Sequence, residues 1–302
     1  MSGDALRDAD ALRHLEVRIT RWAEAGMPSG TSERAEVRRD VAELLEALER
    51  GVVRAALPGP EGWAPVPWVK QGILLAFKAG ETRAFVPHPP AANPDFGGST
   101  FRYADRDTLP LRATDGPAEG VRIVPGGSSV RAGAHLGRGV VIMPPAYVNV
   151  GAYVGAGAMV DSHALVGSCA QVGERVHLSA GAQLGGVLEP IGMRPVIVED
   201  DCMIGANTGI FEGTLVEAGA VLAPGVQLTA STTVFDLVRD RTYRAAPGRP
   251  LTIPAGAVVV PGSRPAAGDA ARRHGVHLYV PVIVKYRDAR TNAATALEEA
   301  LR

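Results

Sequence analysis

Aliphatic side chains recur at every sixth position through the middle of this sequence. The step begins at Val130 and holds to Leu184, then resumes at Val198 and continues to Val234. An α-helix or an ordinary β-sandwich gives no strict period of six. The coil of a parallel β-helix does, because each six-residue unit makes one short flat strand and one corner, and three units close a coil of about 18 residues. The repeat therefore predicts a mainly β fold, a left-handed parallel β-helix of hexapeptide repeats.

The other positions of the hexad follow a pattern as well. Counting the aliphatic residue as position one, position five is small or β-branched, which suits a narrow triangular core. Position two is often Gly or a short polar residue, and Gly, Asn and Asp accept the left-handed backbone conformation of tight turns. We therefore expect position two to supply the corners. Its members include Gly137, Asn149, Gly155, Asp161, Gly167, Gly173, Gly185 and Gly205.

Composition argues against several classes of protein. Of the 302 residues, 46% are hydrophobic and the net charge is −1, so the chain is globular and lacks a global positive field for nucleic acid. No apolar run is long enough to span a membrane and no signal peptide is apparent, so we expect a cytoplasmic protein. The two cysteines, Cys169 and Cys202, are too few for a disulfide framework. Cys202 occupies position five, where we expect a buried core thiol.

The limits of the repeat divide the chain into three predicted parts. Residues 1–118 form a helical N-terminal domain with a connecting loop rich in Pro and Gly, residues 119–262 form the β-helix, and residues 263–302 form a C-terminal segment. The β-helix is interrupted near Leu188–Pro195, where the six-residue register breaks, and a protruding loop is the simplest explanation.

Three helices are predicted in the N-terminal domain. The first covers Asp4–Ala25, and the second is capped by Thr31 or Ser32 and runs to Leu48. The apolar segment Val69–Phe77 is also predicted to be helical.

Residues 80–118 are predicted to be loop, because Pro, Gly and Asp are frequent there. In the C-terminal segment we expect a strand over Leu278–Tyr286 and a short helix over Asn292–Leu301.

A metal centre is not expected on the coil. A metal-dependent hydratase would need three His around one ion on neighbouring coils. The intervals from His135 to His163 and from His163 to His177 are not whole numbers of hexads, so successive histidines fall in different phases of the repeat. The Gly-rich stretches are explained by the repeat, and no phosphate-binding fingerprint is present.

The segment 142–189 is more specific than a generic hexapeptide repeat, since such repeats do not require its GSCAQVG or GGVLEP. It resembles the tetrahydrodipicolinate N-succinyltransferases, hexapeptide-repeat acyltransferases of the lysine pathway. The likeness extends to most of the chain outside the 80–118 loop. It is carried by MPPAYVNVGAYV, MVDSHALVGSCAQVGERVHLS and GGVLEP in the coil, by GVRIVP at 120–125, by WAPVPWVKQGILLAF at 63–77 and by LYVPVIVKYRDART at 278–291.

The resemblance implies an enzyme, with 119–262 as its catalytic domain. It implies a homotrimer with active sites between subunits, and transfer of succinyl from succinyl-CoA to the amine of open-chain 2-amino-6-oxopimelate, without a metal. Two alternatives stay open at this point. One is a related N-acyltransferase that uses acetyl-CoA or another amino-acid acceptor, and the other is a scaffold without catalytic activity.

Arg122 and Asp161 match the substrate-binding residues of the family. A dicarboxylate substrate needs a fork-shaped cation, which Arg122 in VRIVP provides. An amine that attacks a thioester must first lose a proton, and a carboxylate such as Asp161 in MVDSH holds and orients it. The alternative readings are a surface Arg on the first coil and a corner Asp without a functional role.

Further catalytic candidates are weaker. Glu189 in GGVLEP lies at the start of the protruding loop near 188–195, which we call the excursion loop, and it either acts near the amine or holds the loop. The role of Glu212 in IFEG is equally undecided. His163 is a candidate base, although the family motif carries Trp at that position. His177 in VHLS is expected to be a hydrogen-bonded coil residue.

The sequence departs from the family at GANTG (205–209), where many members read GARSE. Asn207 and Gly209 therefore cannot supply the Arg and Glu of that motif beside the acyl-transfer groove. Because an acetyl donor needs no cation for a distal carboxylate, this departure leaves the choice between succinyl-CoA and acetyl-CoA open.

Coenzyme A is expected along a groove between coils of adjacent subunits, held by backbone amides in the manner of an added strand. The phosphates would need cations, for which Arg249, Arg264 and Lys285 are candidates. The residues expected to line the pantetheine arm of coenzyme A are Gly205, Asn207, Ala223 and Ala230.

Overall fold

The computed structural model describes residues 3–60, 62–85 and 103–287, with side chains from residue 9 onward. The predicted helix at 292–301 and residues 86–102 of the predicted loop lie outside these ranges. No helix in the described ranges combines the length and apolarity needed to cross a membrane.

The three predicted N-terminal helices are confirmed as α1 (Gly3–Ala25), α2 (Thr31–Glu49) and α3 (Pro67–Ala79), and a hairpin of β1 (Ala56–Gly59) and β2 (Gly62–Pro65) lies between α2 and α3. The predicted cap is wrong, because Gly30 is the N-cap of α2 and no side chain caps it. The helices pack closely, since a Cβ on Gly72 would lie 2.2 Å from Leu44 Cδ2.

The segment predicted as loop over 80–118 contains regular structure. Strands β3 (Thr82–Phe85) and β4 (Tyr103–Arg106) pair antiparallel, and the short helix α4 (Gly116–Glu119) is capped by the side chain of Asp115. Asp107 supports this arrangement, since its carboxylate accepts hydrogen bonds from Arg38 and from the N–H of Glu81. The Pro and Gly content led to the prediction of a loop, because a single sequence does not report the tertiary contacts that stabilise these strands.

Short parallel strands stack into the predicted parallel β-helix. Most successive coils align at a constant interval of three hexads, so that Val154 pairs with Leu136 below it and Val172 above it. The aliphatic residue of each strand points inward and is buried. The strands are β5 (Arg122–Ile123), β6 (Ser129–Val130), β7 (His135–Leu136), β8 (Val141–Ile142), β9 (Tyr147–Val148), β10 (Tyr153–Val154), β11 (Met159–Val160), β12 (Leu165–Val166), β13 (Gln171–Val172), β14 (His177–Leu178), β15 (Gln183–Leu184), β16 (Ile197–Val198), β17 (Met203–Ile204), β18 (Gly209–Ile210), β19 (Leu215–Val216), β20 (Val221–Leu222) and β21 (Gln227–Leu228).

The coil has three faces. The first face consists of β5, β8, β11, β14, β17 and β20, and the second of β6, β9, β12, β15, β18 and β21. The third face consists of β7, β10, β13, β16, β19 and the later strand β24 (Thr252–Ile253).

The N-terminal domain packs on the third face. Arg54 donates to Gln171 Oε1 at 2.9 Å and its guanidinium lies 3.7 Å from the ring centroid of Tyr153. Trp63 Nε1 donates to Glu199 at 2.8 Å. This face is therefore covered within one chain.

The corners lie at position four of the hexad, so the prediction of position two is wrong. Positive φ occurs at Gly157, His163 and Asn207, each three residues after the inward aliphatic. Position two is glycine for a different reason. A Cβ on Gly155 would lie 2.6 Å from the carbonyl carbon of Gly173 in the next coil, which real Cβ atoms do not tolerate.

Two excursions interrupt the coil. The predicted one is confirmed, since no strand lies between Leu184 and Ile197, and Gln171 pairs with Ile197 across an interval longer than one regular coil. The second was not foreseen. Val234 was predicted to continue the hexads, but it lies in β22 (Val234–Asp236), which pairs with β23 (Arg241–Tyr243) outside the three-faced coil, and β24 resumes the third face.

The coil ends in two long strands. Strand β25 (Ala257–Pro265) stacks on β20 and pairs antiparallel with β26 (His277–Tyr286), and the short helix α5 (Asp269–His274) connects them. The predicted strand over 278–286 is confirmed. Together with β22 and β23, these strands extend the first face to ten strands.

Gly155→Ala is expected to lower the free energy of unfolding by about 1–3 kcal/mol, because the added methyl forces apart two stacked coils. Gly192→Ala is the matched control, since Gly192 has open space around its Cβ position and no positive φ. It is expected to change stability by less than about 1 kcal/mol. Denaturant unfolding of both variants measures the difference, and equal stabilities would contradict the stacking argument.

Candidate functional site

The first face carries Arg122 and Asp161. Arg122 is exposed on β5, and Asp161 follows β11 directly. One strand, β8, separates β5 from β11, so the two backbones lie roughly 9–10 Å apart. The structure therefore places the predicted guanidinium and the predicted carboxylate on one side of the coil.

Asp161 lies beside a histidine that the sequence analysis set aside. Its Oδ1 accepts the N–H of Ser162 at 2.7 Å, and its Oδ2 lies 3.8 Å from Nε2 of His177. This Nε2 is buried and has no hydrogen-bond partner among the described residues. The expectation that the His177 side chain is hydrogen-bonded in the coil is therefore wrong for that nitrogen. The signal in the sequence was the three-hexad coil, which stacks His177 on Met159, two residues before Asp161.

Glu189 and Ala230 lie elsewhere, around a cavity of about 530 Å³ at the edge of the second face. Glu189 is exposed in the excursion loop, and Glu212 faces it from the next coil. Glu212 accepts the N–H of Ala230 at 2.6 Å, which ties two coils together at the cavity. The lining is completed by Gly185, Gly186, Val187, Met193, Phe211 and Thr229.

A buried lysine holds the excursion loop from behind. Lys70 of α3 is fully buried, and its Nζ donates to the carbonyl oxygen of Met193. Burial lowers the pKa of this amine, because the charged form is costly away from water. On the other side, Arg194 donates twice to the carbonyl of Gly213, at 3.1 and 3.0 Å. The loop that carries Glu189 is thus fixed both to the N-terminal domain and to the coil.

The residues predicted to hold coenzyme A are only partly available. Gly205 and Ala223 are buried on adjacent coils, and their N–H groups donate to Leu222 and Val259 at 2.8 Å. The N–H of Asn207 likewise donates to Ala180 at 3.0 Å. These amides already serve coil stacking, so an added strand finds no free N–H at these positions.

The predicted cations lie near the C-terminal end of the coil. Lys285 is on β26, paired with Val258 of β25, and so belongs to the extended first face. Arg264 is exposed on β25, and Arg249 is exposed in the second excursion. The first face therefore carries Arg122 and Asp161 near one end and Lys285 near the other.

Asn207 and Gly209 show how the GANTG segment is accommodated. Asn207 occupies a corner with φ of 55°. A Cβ on Gly209 would lie 2.2 Å from Gln227 Oε1 and 2.5 Å from Phe211 Cε2. A larger side chain at 209 therefore requires these two neighbours to move, so the loss of the family's acidic residue is matched by local packing.

The remaining candidates have structural surroundings. Cys202 is buried as expected, Cys169 is buried too, and burial raises the pKa of each thiol to about 12, so both are protonated at neutral pH. His163 lies at a corner, where its N–H donates to Pro145. Nδ1 of His135 donates to the backbone carbonyl oxygen of Glu49 at 2.7 Å, and the imidazole stacks on Tyr153. Within the described residues, no three potential ligands cluster as a metal site would require.

Two family models of known proteins match parts of this chain. Residues 15–79 match the family model for the N-terminal domain of tetrahydrodipicolinate N-succinyltransferase, and residues 195–230 match the hexapeptide repeat of succinyl-transferase. A solved structure from Campylobacter jejuni aligns over 87% of this chain and 64% of its own length, with 16% identity and a TM-score of 0.42.

Curated relatives match nearly the whole chain. The 2,3,4,5-tetrahydropyridine-2,6-dicarboxylate N-succinyltransferase of Idiomarina loihiensis is 42% identical over 90% of this chain and 91% of its own length. The enzyme of the same name from Polynucleobacter asymbioticus is 42% identical, and that from Burkholderia mallei 41%, each over 93% of this chain and 95% of its own. The chain therefore belongs to the tetrahydrodipicolinate N-succinyltransferase family.

Proposed function

We propose that this protein transfers a succinyl group from succinyl-CoA to the amine of tetrahydrodipicolinate, in its open-chain form 2-amino-6-oxopimelate, in the synthesis of lysine and diaminopimelate. The observation that carries the proposal is the 42% identity to named N-succinyltransferases over 90% of the chain. It extends across the N-terminal domain and the coil alike. The joint placement of Arg122 and Asp161 on the first face supports it.

The two residues divide the recognition of the substrate. Arg122 binds a carboxylate through its planar guanidinium, and its exposure leaves the donors accessible. Asp161 orients the amine, because Ser162 holds its Oδ1 while no backbone N–H of the described residues donates to its Oδ2. The amine nitrogen then attacks the thioester carbonyl carbon, and the carbon–sulfur bond breaks to release the coenzyme A thiol.

The active site is formed between two subunits of a homotrimer. Asp161 follows a strand of the first face, whereas Glu189 leaves from the far end of the second face. One whole face of the coil separates them within a chain. A site that uses Asp161 and Glu189 together therefore needs Glu189 from a neighbouring copy. In a ring of three copies each interface is equivalent and closes the assembly.

The coil is left-handed, and the chain has three parts at 1–118, 119–262 and 263–302. The strict six-residue step and the two-residue strands support this handedness. The apolar cluster centred on the helices is distinct from the cluster inside the coil, although it also takes in Ala132, Val150 and Cys169 of the coil, and this distinction supports the first boundary. The protein works in the cytoplasm, in keeping with its buried, reduced thiols.

Coenzyme A lies along the later coils, past Gly205, Asn207, Ala223 and Ala230. Because the N–H groups at the first three positions serve coil stacking, its pantetheine arm is held through carbonyl oxygens and side chains. Lys285 lies toward the end where the phosphates would bind. No step of this reaction uses a metal ion.

A second candidate is the same transfer with acetyl-CoA, or to another amino-acid acceptor. The packing at Gly209 favours it, because no charged side chain there receives the distal carboxylate of a succinyl group.

Asp161→Ala is expected to lower kcat by about 100-fold or more, because the amine loses the group that orients it. Arg122→Ala is expected to raise KM for the acceptor about tenfold or more with a smaller effect on kcat. Thiol release from succinyl-CoA with L-2-aminopimelate measures both. Arg138→Ala is the control, an exposed arginine of the same coil. A normal rate for Asp161→Ala would show that the assignment is wrong.

Mixing two inactive variants tests the shared site. Asp161→Ala and Glu189→Ala subunits, co-refolded in equal amounts, should regain about a quarter of the wild-type rate, because one interface in four pairs an intact Asp161 with an intact Glu189. Asp161→Ala mixed with Arg122→Ala should regain nothing, since both residues lie on one chain's first face. Recovery absent from the first mixture would place Asp161 and Glu189 in one chain.

A further inference from the structure

The imidazole of His177 has an orientation that the coil alone does not explain. Its Nε2 is buried and lacks a hydrogen-bond partner among the described residues, although the side chain as a whole is 43% exposed. A buried polar atom without a partner is costly, and a ring at the surface avoids that cost by turning toward water. The charged group that approaches Nε2 is the carboxylate of Asp161, whose Oδ2 lies 3.8 Å away.

The surroundings leave Asp161 to act on this ring. His177 stacks between Met159 and Met203 on the first face, and both neighbours are uncharged. The corner before β14 carries Arg175, whose guanidinium is committed to Asp201 at 2.7 and 2.9 Å. The described residues of the adjoining strands β11 and β17 are uncharged, and Asp161, which follows β11, is the charged group that faces the imidazole.

We propose that Asp161 and His177 form a carboxylate–imidazole pair that removes the proton from the substrate amine. The inference rests on the acyl transfer proposed above and assigns its base. Asp161 holds the proton on Nε2, which leaves Nδ1 as the unprotonated nitrogen. A small rotation of the ring shortens 3.8 Å to a hydrogen bond, and such bonds are often long before substrate binds.

The proton transfers balance. The substrate ammonium gives one proton to Nδ1 of His177 and becomes a neutral amine, whose nitrogen forms a bond to the thioester carbonyl carbon. The carbon–sulfur bond breaks and the thiolate leaves with the electron pair. The new amide nitrogen loses its second proton to the thiolate, giving the free thiol, and the imidazolium returns its proton to water.

The test is the pH profile of kcat from about pH 6 to 10, followed as thiol release from succinyl-CoA with L-2-aminopimelate. His177→Gln should lower kcat about 100-fold or more near neutrality, while both KM values change less than about threefold. The remaining rate should climb with pH, because free amine then forms in solution. Added imidazole should restore part of the rate of His177→Ala.

His163→Asn is the comparison variant, because it removes another coil histidine at a corner whose φ of 62° suits Asn. It should keep the wild-type rate and profile. A wild-type pH profile of kcat for His177→Gln overturns the pair. A loss of kcat that is the same at every pH, and that imidazole does not rescue in His177→Ala, also overturns it, provided that the variants unfold at the same temperature as the wild-type protein. Loss with His163→Asn alone would move the base to that residue. Silence of the wild-type protein would refute the acyl transfer and the pair with it.

Discussion

The stacking of one coil on the next constrains every other feature of this protein. Parallel strands two residues long gain stability only when each inward aliphatic lies over the one below it, as Val154 does between Leu136 and Val172. The spacing between coils leaves no room for a Cβ at positions such as Gly155 and Gly205. A shift of one residue would bury polar side chains and expose the core on all three faces.

This constraint also fixes what the coil displays. Residues on either side of the inward aliphatic point outward, and one full coil later their counterparts lie directly above. Arg122, Asp161 and His177 are brought to one face in this way, from three different coils. The third face is occupied by the N-terminal domain, through contacts such as Arg54 with Gln171. The residues proposed to bind and activate the substrate thus lie on the first face and on the excursion loop, which Lys70 secures through the carbonyl of Met193.

Much of the fold follows from the sequence because the repeat is local and strict. The three helices, the excursion near 188–195 and the strand at 277–286 follow from patterns confined to a few residues each. The sequence pattern predicts the corners at position two, because glycine serves both at corners with left-handed φ and where two coils approach closely. Only the structure distinguishes the left-handed φ at Gly157 from the close approach at Gly155. Val234 kept the period of six by coincidence while its strand left the coil to pair with β23 and β26.

The site was harder to predict than the fold. Arg122 and Asp161 came from a family motif, and the regular register of the coils then places them on one side. The role proposed for His177 does not follow from the sequence, because it depends on a contact across coils that no spacing within a hexad reports. The cavity of Glu189, Glu212 and Ala230 joins two interruptions of the repeat, and periodic reasoning says nothing about interruptions.

The central claim, succinyl transfer to an amino-dicarboxylate, is tested most directly by donor competition. The protein is supplied with L-2-aminopimelate and equal concentrations of succinyl-CoA and acetyl-CoA, and the N-acyl products are identified and quantified by mass spectrometry. The account predicts that the N-succinyl product predominates, despite the uncharged segment at 205–209. A predominance of the N-acetyl product, or no acylated amine at all, would contradict it.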